Sequence, residues 1–448
     1  MRKLLLAPAG HGKTARVIEA VRSRPPLAPA RVIVPDRVEA AAFRRRLAQS
    51  GGALAVEVQT FYELYADVLA LAGGSPAGST ARLPSAVRHR LIAHLVDSLS
   101  EAGRITYYVP LRGASGFARL LGHLFGELKR GRVLPQDLEG VLAPRDDPRL
   151  TELGRLYAAY QIWLLDTGWV DAEGQGWLAA LALEDDPALL SDLALLAVDG
   201  FDEFNPTQLH VLRLLTERAG ATLIALTGDP DRPNRLAHRR PARARAALTQ
   251  ALDVEPVPLS TAGFQELSLA HLETALFEPH VDPVPLGDAI AFLEAQNRAA
   301  EARESLRWLK ARVVRDQVPL DEVAIVARDV TPYRPFLEEV AAEFGVPLRF
   351  VTGAALRSNP AIAALLTLLS LPLEPIDWAP RALLDLLSSP YFDWTPCGLV
   401  SEEGVPHGGP ADLPASDGRL LEVARAGQVI RGLDQWREAF QRLAEAER

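Results

Sequence analysis

Residues Leu4 to Thr14, Leu-Leu-Leu-Ala-Pro-Ala-Gly-His-Gly-Lys-Thr, constrain this chain more tightly than any other stretch. A short apolar strand leads into a glycine-containing turn and then into a helical pattern from Thr14 to Val21. That succession aims backbone N–H groups and a helix N-terminus at a phosphate chain, the geometry of a Walker A loop. Pro8, Ala9, Gly10, His11, Gly12, Lys13 and Thr14 are the expected nucleotide contacts. Lys13 reaches the β- and γ-phosphates and the Thr14 hydroxyl holds the metal, so ATP with Mg²⁺ is the expected ligand. Ala7 stands where the pattern normally begins with glycine.

A length of 448 residues implies about two to four domains. No apolar stretch approaches the ~20 residues of a membrane span. The phosphate-loop strand at the very start leaves no room for a signal peptide, so a cytoplasmic, membrane-free protein is expected. A single cysteine, Cys397, excludes an internal disulfide and cannot supply a multi-cysteine metal site unaided. The formal net charge of −9 argues against a protein that coats nucleic acid, though it leaves room for a local basic track. The densest track is Arg232, Arg235, Arg239, Arg240, Arg243 and Arg245, with His238 among them. It reads either as a solvated face or as a set of phosphate contacts.

Strand-like runs that each lead into a helical pattern predict a parallel α/β sheet. Arg31–Val34 precedes the amphipathic stretch Glu39–Leu47, and Val56–Phe61 precedes a helix from about Tyr62 to Leu71. Gly73–Thr80 reads as a loop. From Leu83 to Leu183 apolar residues recur at intervals of three and four, which predicts an all-helical insertion. Strand pattern resumes at Leu193–Asp199 and again at Ala221–Asp229. Between these runs Asn205 caps and Pro206 opens a helix that Gly220 ends. Asp199, closing a buried apolar strand, is the expected second Mg²⁺ ligand with Thr14; a loop-capping aspartate is the other reading.

The run Val198-Asp199-Gly200-Phe201-Asp202-Glu203-Phe204-Asn205-Pro206-Thr207-Gln208 resembles the D-E-F-Q-D-T-N-P-x-Q element of UvrD-like superfamily 1 helicases. Asp199, Phe201, Asn205, Pro206 and Gln208 match without a gap, but the glutamate that deprotonates the attacking water falls at Gly200. With that departure the chain resembles the AddB/RexB subunit of bacterial helicase–nuclease complexes, whose motor motifs are degraded. Val34-Pro35-Asp36, Val58-Gln59-Thr60-Phe61-Tyr62-Glu63-Leu64 and Thr227-Gly228-Asp229-Pro230-Asp231 are similar to further family elements. In the last of these Arg232 displaces the family's glutamine.

The resemblance implies a P-loop NTPase (RecA-like) parallel sheet split between 1–82 and 190–286, with a helical insertion over 83–189. A second, partial RecA-like α/β unit is expected over 287–371, with strands at Ala289–Leu293, Val323–Arg328 and Pro347–Val351. A mostly helical segment is expected over 372–448. Later motor motifs, a nuclease signature and an iron–sulfur cysteine set are not found in the sequence, so an N-terminal portion of a longer family member is expected. The resemblance implies engagement of DNA, as single strand or duplex ends, at Thr60, Phe61 and Tyr62, and a catalytic partner subunit of the AddA/RexA type; Arg232, Arg235, Arg239 and Arg240 of the basic track are the expected phosphate contacts. Phe61 and Tyr62 either stack on bases or pack beneath the sheet. Two functions remain open: a DNA-repair subunit that binds ATP with impaired hydrolysis, or an active translocase in which Asp202 or Glu203 replaces the missing base. Gly200 opposes the second, because losing a general base removes ~10²–10⁴-fold in rate. A P-loop small-molecule kinase fits the long insertion poorly.

Overall fold

A computed structural model of the chain describes residues 1–73, 81–259, 263–373, 376–392 and 417–446. Cys397 and most of the expected Gly73–Thr80 loop lie outside the described residues. The chain divides into two compact units, Met1–Glu294 and Ala295–Arg448.

The first unit opens with β1 (Arg2–Ala7), α1 (Lys13–Ser23), β2 (Ala30–Ile33), α2 (Arg37–Gln49), β3 (Val56–Gln59) and α3 (Phe61–Leu71). A mainly helical stretch follows: β4 (Ala81–Arg82), α4 (Ser85–Glu101), α5 (Ser115–Arg130), α6 (Pro135–Leu142), α7 (Pro148–Thr167), β5 (Trp169–Val170) and α8 (Ala172–Asp185). The unit closes with β6 (Leu195–Val198), α9 (Pro206–Arg218), β7 (Ala221–Thr227), α10 (Arg239–Leu252), β8 (Pro256–Pro258) and α11 (Leu267–Ala275). The main sheet has six strands in the order β3-β2-β6-β7-β1-β8, and every neighbouring pair is parallel. β4 and β5 pair separately.

Strand alternation builds a core on each face of this sheet, because successive side chains point to opposite sides. Leu4, Leu6, Leu196, Val198, Ile224 and Leu226 enter one core with α3, α8, α9 and α10. Leu5, Leu195, Ala197, Leu223 and Ala225 enter the other with α1 and α2. Each fully buried Leu or Ile contributes about 1.5–3 kcal/mol, so the frame at the ends of these strands is stiff. The edge strand β8 escapes the sequence reading because Pro256 and Pro258 flank its middle residue. Proline donates no N–H, and such a strand is tolerated only at an edge. The Leu259 N–H continues the pairing by donating to the Leu6 carbonyl at 3.0 Å.

The helical stretch has its own core of Phe125, Leu156, Tyr157 and Tyr160 with residues of α4. A buried ion pair fastens it to the sheet layers. Lys129 Nζ donates to both Asp171 carboxylate oxygens at 2.9 Å, and the Tyr160 hydroxyl and Gly174 N–H add bonds to that carboxylate at 2.8 Å. The Lys129 carbonyl accepts from Trp177 Nε1 at 2.7 Å and from the Thr207 hydroxyl, on α9, at 3.3 Å.

In the second unit α12 (Arg298–Arg315) packs on α13 (Arg334–Phe344), with Ala302, Leu306, Leu337, Val340 and Ala341 buried between them. Further along are α14 (Pro360–Ser370), α15 (Pro380–Leu387), α16 (Asp417–Ala426) and α17 (Leu433–Ala446). The three strands expected at 289–293, 323–328 and 347–351 do not form among the described residues. Their short apolar runs are strand-like, but a strand exists only through a hydrogen-bonded neighbour. Instead Val326 is 90% exposed and Val351 73% exposed. Among the described residues no helix is long and apolar enough to cross a membrane.

Truncating Asp171 to Ala is expected to cost about 3–5 kcal/mol, because the Lys129 ammonium would be left buried without its partner. Chemical denaturation measures it. The double variant Lys129→Met/Asp171→Leu, which removes both charges, should recover most of the loss.

Candidate nucleotide site

The loop from Pro8 to Gly12 leaves the C-terminal end of β1 and turns through two left-handed glycines, Gly10 at φ 76° and Gly12 at φ 73°. Gly12 caps α1 with no side-chain hydrogen bond. The first N–H groups of that helix are therefore not satisfied by a cap side chain, as a phosphate cradle requires. Lys13 folds back over the loop, its Nζ donating to the carbonyls of Ala7 at 3.0 Å and Pro8 at 2.6 Å. Burial pushes its pKa down, while the carboxylates of Asp199 and Glu273 pull it back up. A cavity of about 680 Å³ runs from Gly10, Gly12, Lys13 and Thr14 along α1 to Arg46 and Gln49.

Asp199 leaves β6 on the same sheet edge, its N–H bonded to the Ile33 carbonyl at 3.0 Å. Burial raises the Asp199 pKa, while the Thr14 hydroxyl, the Lys13 charge, the Gly200 N–H and the Arg46 charge pull it down. The fold thus brings together the two residues expected to share a metal. A hydroxyl and a carboxylate are hard oxygen donors and suit Mg²⁺, which takes its remaining ligands from phosphates and water. Among the described residues no cluster of three or more His, Cys, Asp or Glu forms a separate metal site.

Gly200 sits at φ 84°, and a Cβ there would lie 3.2 Å from the Pro35 ring. The backbone at this position is shaped for glycine. The two acids that follow are exposed and shared with one cation: Arg240 lies 3.3 Å from Asp202 and 2.7 Å from Glu203.

β7 ends between these two strands, and Asp229 just beyond it organises a buried charge cluster. Burial would raise its pKa, but bonds from the Arg232 and Asp231 N–H groups and the Arg232 guanidinium hold it below the usual value. Arg235 is 3% exposed and reaches Glu273 at 2.9 Å and Asp229 at 3.7 Å. Glu273, on α11, carries no motif in the sequence; the fold brings its charge within range to raise the Lys13 pKa. The expected phosphate-contacting arginines therefore separate. Arg235 is enclosed by carboxylates and offers no surface cation, Arg232 braces Asp229 at 3.1 Å, Arg240 holds Asp202 and Glu203, and Arg239 is exposed on α10.

The Thr60-Phe61-Tyr62 run also separates. Thr60 is the N-cap of α3, accepting from the Glu63 N–H at 3.4 Å while Glu63 accepts from the Thr60 N–H at 2.9 Å. Phe61 is buried, with ring centroids 5.4 Å from Phe201 and 5.9 Å from Tyr65, so it packs beneath the sheet. Tyr62 is 44% exposed. With Pro35, Arg130, Gly200, Asp202 and Glu203 it lines a cleft of about 720 Å³.

The family model described as ADDB, N-terminal matches residues 4–265, a span that includes the phosphate loop, Asp199 and Asp229. The chain belongs to the AddB family. Among curated relatives, a Moorella thermoacetica protein, named as the B subunit of an ATP-dependent helicase/deoxyribonuclease, is 28% identical over 416 residues, covering 84% of this chain and 34% of the relative. The Heliobacterium modesticaldum protein of the same name is 27% identical, covering 84% of this chain and 33% of its own length. The Bacillus subtilis protein is 27% identical, with coverages of 80% and 33%. The chain spans about one third of the length of these relatives.

Restoring the helicase-type acid in this AddB-family chain, Gly200→Glu, should lower stability by about 1–2 kcal/mol, the cost of an L side chain in a left-handed backbone. Gly200→Asn should cost less, since asparagine visits that region more readily. Thermal unfolding followed by circular dichroism tests the order.

Proposed function

We propose that this chain is the helicase-like N-terminal portion of an AddB-type subunit of an ATP-dependent helicase–nuclease that processes DNA double-strand breaks for recombinational repair. In this reading it binds ATP·Mg²⁺ with impaired hydrolysis, engages single-stranded DNA and works with a catalytic partner of the AddA/RexA type. The sheet with its flanking helices acts as a RecA-like P-loop domain over 1–82 and 190–286, and 83–189 as a helical insertion. Residues 287–371 begin a second motor-like unit, and 372–448 follow it as a mainly helical segment.

The observation that carries the proposal is the Thr14 hydroxyl acting on the Asp199 carboxylate at the foot of a glycine-turned loop, next to a Gly200 that has no side chain. The backbone N–H groups of Ala9 to Lys13 and the Lys13 ammonium would hold the triphosphate. Thr14 and Asp199 would hold Mg²⁺, which neutralises phosphate charge when bound. With no carboxylate at residue 200, and with Asp202 and Glu203 paired to Arg240, no side chain on this loop is left poised to take a proton from water. The relatives are named for a helicase/deoxyribonuclease of more than one subunit, which supports a role beside a partner on DNA.

Isothermal titration should find ATP·Mg²⁺ binding, and Lys13→Ala should weaken it while leaving the melting temperature without nucleotide nearly unchanged. A phosphate-release assay should find very slow turnover. Robust DNA-stimulated hydrolysis by the purified chain would sink the impaired-motor reading.

For DNA, Tyr62 is the aromatic side chain with an open face, and Arg239 and Arg240 are the surface cations. Fluorescence anisotropy with a labelled single strand should show binding that weakens with salt, and Tyr62→Ala should lose about 1–3 kcal/mol. Changing Arg239 and Arg240 to Ala should lower the slope of log affinity against log salt by about 0.7 for each phosphate that is no longer neutralised. An unchanged slope would return these arginines to a solvated face.

A further inference from the structure

The phosphate loop and the pair Gly263–Phe264 grip each other through two reciprocal ring-on-glycine contacts. A Cβ on Gly10 would lie 2.5 Å from Phe264 Cζ and 2.6 Å from its Cε2. A Cβ on Gly263 would lie 2.6 Å from His11 Cε1 and 2.7 Å from its Nε2. Each glycine is the seat of the other segment's ring, and a methyl group at either seat would push the two segments apart. Phe264 is 41% exposed and belongs to neither sheet core, so burial within the domain does not account for its position.

The described elements on either side of this pair are anchored. On the N-terminal side β8 pairs with β1, from Leu4 opposite Pro256 to Leu6 opposite Pro258. On the C-terminal side α11 carries Glu273, which is ion-paired to the buried Arg235 at 2.9 Å. Meanwhile Lys13, the cation that the loop would offer a phosphate, is turned back onto the carbonyls of Ala7 and Pro8.

We propose that Phe264 and His11, seated on Gly10 and Gly263, form a latch that holds the phosphate loop in a closed conformation until nucleotide arrives. The inference rests on the reading of residues 8–14 as a nucleotide site. A protein whose binding-competent form is a minor population binds more weakly by that fraction, so releasing the latch raises both the rate and the strength of binding.

Phe264→Ala removes the ring from one seat, and Gly263→Ala displaces His11 from the other, so two variants act from opposite partners. The first readout needs no nucleotide: hydrogen exchange of the backbone amides from Ala9 to Thr14. The second is stopped-flow association of a fluorescent methylanthraniloyl-ATP with Mg²⁺. The latch predicts faster amide exchange in both variants, with severalfold faster nucleotide association and a lower Kd. Unchanged exchange overturns it. So does an unchanged association rate with faster dissociation, the signature of a ring that stacks on the nucleotide base instead. Faster exchange in a chain that binds no nucleotide upholds the latch and removes the nucleotide reading alone.

Discussion

The parallel pairing of β6, β7 and β1 is the constraint on which the rest of the molecule depends. Their registers, Ala7 opposite Thr227 and Val198 opposite Ile224, bring three strands to an end on one edge of the sheet. In a parallel sheet the chain must return through a helix after each strand, so every loop that leaves this edge starts a crossover. Lys13 and Thr14 follow from β1, Asp229 from β7 and Asp199 from β6. Their meeting is imposed by topology and held by the two apolar cores, since one-residue slippage of any strand would exchange its core faces.

The loop after Asp199 is short and tied down at both ends, which gives the nucleotide end a stiff connection to the helical stretch. Asn205 caps α9, with its side chain accepting from the Gln208 N–H at 2.9 Å. Thr207, inside the first turn, bonds the Lys129 carbonyl on α5. Lys129 is in turn fixed by Asp171 at the start of α8. From Asp199 to the cleft lined by Tyr62 and Arg130 the path therefore runs through hydrogen-bonded backbone and a buried ion pair.

Much of this arrangement is legible in the sequence because it is written in short-range patterns. The glycines of the phosphate loop, the apolar strands and the Asn205-Pro206 helix start each have a local physical cause. What escapes is decided by partners distant in sequence. Arg235 belongs to a run of charges that suggests a surface track, yet Glu273 and Asp229 enclose it. Phe61 and Tyr62 are adjacent, and helical geometry turns neighbouring side chains about 100° apart, so one enters the core and the other faces the cleft. Thr60-Phe61-Tyr62-Glu63 also contains the local signature of a capping box, which accounts for Thr60 through the helix alone. The short apolar runs at 289–293, 323–328 and 347–351 call for strands that no pairing supplies among the described residues.

Gly200 shapes the loop that follows Asp199. Its backbone adopts φ 84°, which lets the chain turn sharply between Asp199 and Phe201. That turn sends Phe201 onto Phe61 and Phe204, at centroid distances of 5.4 and 5.0 Å. It also brings Asp202 and Glu203 to Arg240. Putting a glutamate back would therefore oppose the turn, the aromatic contacts and the Pro35 ring together. Aromatic pairs of this kind contribute about 0.5–1.5 kcal/mol each beyond their burial. A glutamate at this position would be resisted by the residues around it, because their packing depends on a turn that glycine makes most easily.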